Sequence, residues 1–167
     1  GLAVTMETML LRKCRSASQL PTSLIALIPI AWFLIGTASI IVAVAPFRRI
    51  TPLLGRNLGP AALAPVGSPK ELGKAVLIAR AIGFAARCMP LRSDCLPQAI
   101  AGVSLCRLLR VPYAAYFGAS TFVPEWEGEL LAHAWLQCGP VVITGGRGNF
   151  GTYGVVACFV APDRRYP

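Results

Sequence analysis

Between Ser16 and Phe47 the chain carries no charged residue, and Leu24 to Ala45 is almost wholly apolar. These 22 residues at helical rise cover a bilayer core, which needs about 20. A helix buried against the rest of the protein has the same pattern, and Pro29 and Gly36 interrupt the run. Gly55 to Pro69 is rich in Pro, Gly and Ala and reads as a linker. After it, Pro69-Lys70-Glu71 opens a pattern in which Leu72, Val76, Ala79, Ile82 and Ala86 recur at three- and four-residue spacing, predicting a helix that ends near Cys88 ahead of Pro90. A second helix is expected from Ser93-Asp94, either of which can cap it, to about Arg110, with Pro97 in its first turn where a missing N–H costs nothing. Beyond Pro112 the texture changes to short runs rich in β-branched and aromatic residues. Tyr113 to Ala119, Leu130 to Gln137, Val141 to Thr144 and Tyr153 to Val160 are the expected strands, with Cys138-Gly139-Pro140 as the hairpin between the second and third. Helices followed by an antiparallel sheet make an α+β fold. The implied division is a hydrophobic helical segment over 1–55, a linker over 56–69 and a catalytic-type domain over 70–167.

Composition sharpens this picture. Of 167 residues 55% are hydrophobic and 14% charged, which excludes a disordered chain. The formal charge is +9, and up to Arg92 eleven basic residues face two acidic ones. The basic residues are dispersed among apolar stretches, with no basic run interleaved with aromatics, so a membrane face or an acidic polypeptide fits better than nucleic acid. The basic flanks of the apolar run, Arg12, Lys13 and Arg15 before it and Arg48, Arg49 and Arg56 after it, set no orientation. A signal peptide would be cut after Ala43-Val44-Ala45, which Pro46 disfavours. Six cysteines with no CxxC pair and one histidine leave no metal site of the usual spacing, and reduced thiols in the cytoplasm are expected.

Two residues stand out chemically. Cys95 falls in the first turn of the second helix, where unpaired N–H groups and the helix dipole favour a thiolate. Cys88, Cys106 and Cys158 read as small hydrophobes, and Cys138 as an exposed turn thiol. His133 lies in the strand Leu131 to Gln137, on one face with Trp135 and Gln137, and is the only side chain whose ordinary pKa suits a general base near neutrality. A helix-start cysteine followed by a strand histidine is the order that delivers a Cys–His pair in papain-like and transglutaminase-like folds.

Asp94-Cys95-Leu96-Pro97-Gln98-Ala99, Leu108-Leu109-Arg110-Val111-Pro112, Phe117-Gly118-Ala119, Ala132-His133-Ala134-Trp135-Leu136 and Val141-Val142 before Gly145-Gly146 follow one another in order. Together with Pro46-Phe47-Arg48-Arg49, this set resembles the B protein of lasso peptide biosynthesis, a transglutaminase-like cysteine peptidase, over roughly residues 46 to 160. The resemblance implies removal of the leader from a ribosomally made precursor, with no cofactor, before an ATP-dependent asparagine-synthetase-like cyclase closes the ring. It implies Cys95 as nucleophile and His133 as base. The Cys95 backbone N–H, and in second place Gln98, would serve the oxyanion. The resemblance also implies a leader-recognition domain or separate protein. Gly1 to Gly55 lacks the pattern of that domain, so an upstream domain or a partner chain is expected.

The pattern breaks at the third member, an aspartate some twelve residues past the histidine. From Glu129 to Asp163 the chain has no acid between. With Cys138 to Pro140 as the loop, Gln137 faces Val141, Trp135 faces Ile143 and His133 faces Gly145, and a one-residue shift moves the opposite position only to Thr144 or Gly146, none of them a carboxylate. Thr144, through its hydroxyl or carbonyl, is the first candidate partner of His133 and Asn149 the second; Asp94 or Asp163 in that place would mean a different register. Two rival readings are another transglutaminase-like amidase or cross-linking enzyme, and a membrane-associated scaffold without catalysis. The expected location is the cytoplasm, with association to the inner membrane through the apolar run.

Overall fold

The computed structural model describes residues 21–61, 65–90, 94–120, 131–146 and 153–162. Its elements run α1 (Thr22–Val44), α2 (Phe47–Leu54), β1 (Arg56–Asn57), α3 (Pro69–Arg87), α4 (Cys95–Leu108), β2 (Ala114–Ser120), β3 (Leu131–Cys138), β4 (Val141–Thr144) and β5 (Gly154–Val160). The α+β order is as expected, helices first and then an antiparallel sheet.

Local chemistry sets the two central helices. Ser68 caps α3 by a reciprocal pair: its hydroxyl accepts from the Glu71 N–H, and its own N–H donates to Glu71 Oε2 at 2.8 Å, with Pro69 at the first helical position. The Lys74 ammonium donates to the Leu109 carbonyl at 2.9 Å, joining α3 to the C-terminal end of α4. The strands form one sheet in the order β1-β5-β2-β3-β4, all neighbours antiparallel. Both α3 and α4 pack on it, and α1 packs on α3 and α4 as a third layer. Gly102 lets α4 approach the sheet closely, because a Cβ there would lie 2.6 Å from Leu136 Cδ2. Tyr113, fully buried, donates its hydroxyl to the Leu54 carbonyl at 3.0 Å and accepts from Arg107 Nε at 2.9 Å, tying α2 to α4.

Two expectations change, and one alternative is decided. Of the two readings of the apolar run, one stripe of α1 is buried: Leu24, Leu27, Ala31, Ile35 and Ala38 recur at three- and four-residue spacing and enter the same core as α3 and α4. Residues 56–69 are not purely a linker, since Arg56 and Asn57 pair with Val160 and Phe159. Cys138 is wholly buried, because β3 continues through it and the turn is the two residues Gly139 and Pro140, the Gly139 N–H donating to the Pro65 carbonyl.

Deleting residues 1–46 strips three large apolar side chains of α1 from the core, at about 1.5–3 kcal/mol each. That sum approaches the whole stability of a domain. The truncated protein is expected to aggregate or lose its cooperative thermal transition; a soluble truncation that melts like the full chain would show α1 to be dispensable.

Candidate active site

Helix α4 begins at Cys95. Asp94 holds the N-cap position with extended backbone and no side-chain capping bond. The first intrahelical bond is from the Gln98 N–H to the Asp94 carbonyl, at 3.4 Å. Ahead of it Pro97 has no N–H, which leaves the Cys95 and Leu96 amides without an intrahelical acceptor. Cys95 is half-buried and Gln98, one turn in, is too.

Cys95 borders a cavity of ≈ 350 Å³ whose walls are mostly apolar: Phe47 of α2, Leu96, Phe117 and Ala119 of β2, and Val156 and Ala157 of β5. His133 and its neighbours Ala132 and Ala134 border the same cavity. Phe117 is braced edge-on by Phe47 and Phe159, with centroids at 5.2 and 5.5 Å.

Register sets the imidazole. His133 lies opposite Gly118 and Trp135 opposite Tyr116. Since Leu136 meets Gly102 on α4, alternation turns His133 and Trp135 to the other face of the sheet. There the imidazole lies 5.2 Å from the Tyr153 ring and 6.0 Å from Trp135, which itself stacks on Tyr116 at 5.3 Å. Burial, and then the neighbouring Cys158, push the Tyr116 phenol up to about 12, so this phenol is neutral. Cys95 thus reaches the cavity from the helix side while the histidine ring packs on the opposite side, and among the described residues no hydrogen bond joins the two.

The group at the imidazole is not Thr144. His133 Nε2 lies 3.0 Å from the Gly145 carbonyl oxygen. A carbonyl only accepts, so Nε2 carries the proton and the neutral ring keeps its lone pair on Nδ1. The expected register fails for a physical reason. The two-residue turn pairs Cys138 with Val141 and Gln137 with Val142; a slip between Leu136 and Gln137 then sets Thr144 opposite Leu136. The Thr144 methyl faces Gly102 on the helix side, and its buried hydroxyl has no hydrogen-bond partner among the described residues. Asn149 and Asp163 lie outside the described residues. Gly145 has φ +74°, and a Cβ there would lie 2.5 Å from the Ala134 carbonyl oxygen, so only glycine fits this backbone. It stands twelve residues past His133, where the resemblance puts an aspartate.

The other thiols are placed differently. Cys106, Cys138 and Cys158 are buried and Cys88 is exposed at the end of α3. Burial, with Cys138 nearby, pushes the Cys106 thiol far up, holding it protonated. Among the described residues no cluster of three or more His, Cys, Asp or Glu could hold a metal ion.

A cysteine on the first turn of a helix packed against an antiparallel sheet, with a histidine on that sheet, defines the class: α+β proteins of cysteine-hydrolase type. The chain belongs to the transglutaminase-like superfamily, whose core pattern matches residues 41–158. No curated protein and no solved structure matches it.

Proposed function

We propose that this protein is a cysteine peptidase that removes the leader from a lasso precursor peptide in the cytoplasm, where the ribosome supplies the precursor and ATP serves the cyclase. The observation that carries the reading is a single cavity bordered by both the helix-start thiol and the only histidine of the chain, whose Nε2 is engaged by a carbonyl. The resemblance of the ordered sequence blocks supports the choice of substrate.

In this reading the Cys95–His133 pair forms only in the complex with the precursor, where β3 must bring the imidazole round from the opposite face to the Cys95 side. The Cys95 thiol proton passes to His133 Nδ1 and the sulfur attacks the scissile carbonyl carbon. The oxyanion accepts from the Cys95 N–H, with Gln98 as a second donor, a kind of contribution worth roughly 3–4 kcal/mol per donor in a serine protease. On collapse the C–N bond breaks and the imidazolium returns its proton to the leaving amine, which is the new amino terminus of the core peptide. Water then hydrolyses the thioester, releasing the leader as a carboxylate and regenerating the thiol. The Gly145 carbonyl stands in for the missing carboxylate as the orienting acceptor; Thr144 has no part in this scheme. A recognition protein or upstream domain grips the leader, and the asparagine-synthetase-like cyclase takes the core.

The test is mass spectrometry of a precursor encoded by a short neighbouring reading frame, incubated with the protein and its recognition partner. Two fragments whose masses sum to the precursor plus one water are expected. Loss of ammonia without chain scission would assign a cross-linking enzyme instead, and an unchanged precursor would support a scaffold.

A further inference from the structure

We propose that the outer face of α1, together with the exposed stripe of α3, docks in plane on an anionic lipid bilayer. Helix α1 is long and apolar enough to cross a membrane, yet it is bound to the body along one side only. Its remaining surface presents Ile25, Ile30, Trp32, Phe33, Ile40 and Val44 to solvent, with Phe33 67% and Val44 78% exposed. Isolated exposed apolar side chains are ordinary on a soluble protein; a whole helix without a charge is not. As the layer farthest from the sheet, α1 can lie on a surface without covering the strands.

Charge selects the occupant. Arg48 and Arg49 follow α1 directly and are exposed. On α3 the exposed positions Val76, Arg80, Phe84 and Arg87 fall at three- and four-residue spacing on one stripe, with the Arg87 guanidinium 5.9 Å from the Phe84 ring centroid. The described residues hold nine basic side chains and two acids, Glu71, which is tied into the α3 cap, and Asp94 at the start of α4. A second copy set face to face on α1 would bring these arginines toward one another, and of the described carboxylates neither lies on α1 or on that stripe of α3 to pair them. A bilayer of anionic lipid supplies both an apolar layer and the opposing charge.

Packing selects the orientation. If α1 spanned the bilayer in this structure, α3 and α4 against it would carry Lys74, Arg80, Arg87 and Arg107 into hydrocarbon, where such charges are costly. Lying in the interface, α1 buries its apolar face while the arginines reach back to the headgroups. This inference does not depend on the peptidase reading.

The experiment is flotation of the purified full-length chain with preformed vesicles of phosphatidylcholine alone or mixed with phosphatidylglycerol. The variants are Phe33→Ser with Ile40→Ser, and Arg48→Glu with Arg49→Glu. All four positions are exposed, and circular dichroism checks that each variant folds. Wild type is expected to float with the anionic vesicles about tenfold more than with the neutral ones, to lose binding in high salt, and to be released by alkaline carbonate. Either double variant should remain at the bottom of the gradient. Equal flotation of all forms, or none by wild type, would overturn the proposal. Retention through carbonate would mean a spanning helix. A wild-type oligomer in sedimentation that Phe33→Ser with Ile40→Ser dissociates would assign the face to a second copy.

Discussion

Cys95→Ala is expected to reduce precursor cleavage by about four orders of magnitude or more, the scale on which loss of a nucleophile acts in a serine protease. The change removes one half-buried sulfur at a helix start, so the thermal transition should barely move. Cys88→Ala, at an exposed thiol outside the cavity lining, should keep full activity; Cys158→Ala, at a buried one, should lose some stability but not chemistry. Iodoacetamide near neutral pH should label Cys95 ahead of Cys88, with Cys106, Cys138 and Cys158 protected by burial. Wild-type turnover by the Cys95 variant would end the peptidase reading.

The second large effect is expected at Gly145. Gly145→Asp puts a carboxylate where the resemblance calls for one, yet it should reduce cleavage by about 100-fold or more instead of improving it. With φ +74° and the Ala134 carbonyl 2.5 Å from the new Cβ, the backbone must move, and the acceptor on His133 moves with it. Thr144→Val is the contrasting change. It should leave activity intact and be neutral or mildly stabilising, because it removes a buried hydroxyl that has no partner among the described residues. Since the chain has one histidine, nitrogen NMR reads its tautomer without assignment. The Nε2–H form is expected in the wild type; an Nδ1–H form, or a gain of activity in Gly145→Asp, would rule out the carbonyl as the orienting group.

What the sequence disclosed and what it hid divide along physical lines. Side-chain chemistry was readable where it acts locally: Pro69 at the start of α3, Pro97 in the first turn of α4, and the β-branched and aromatic runs of the four longer strands. Cys95 and His133 followed from those elements. The role of Leu24 to Ala45 did not, because a run apolar on every side carries no periodicity to mark which stripe is buried. Helix α2, eight residues long with Pro52 inside it, and the two-residue β1 are held by their neighbours more than by propensity. Register was lost at Leu136 and Gln137: counting from a Cys138 to Pro140 loop sets Gly145 opposite His133, whereas the two-residue turn and the slip set Thr144 opposite Leu136, on the face away from the imidazole. The acceptor at His133 was invisible for a simpler reason: every residue has a carbonyl, so no residue type announces it.

A main-chain acceptor has a consequence for pH. A carboxylate partner picks up a proton in acid, and the histidine it holds then loses its orientation. The Gly145 carbonyl dipole has no such proton to gain, so its hold on Nε2–H persists at any pH at which the protein is folded and the imidazole retains that hydrogen. The acid side of the rate profile should then lack the further inflection that a third ionising member would add.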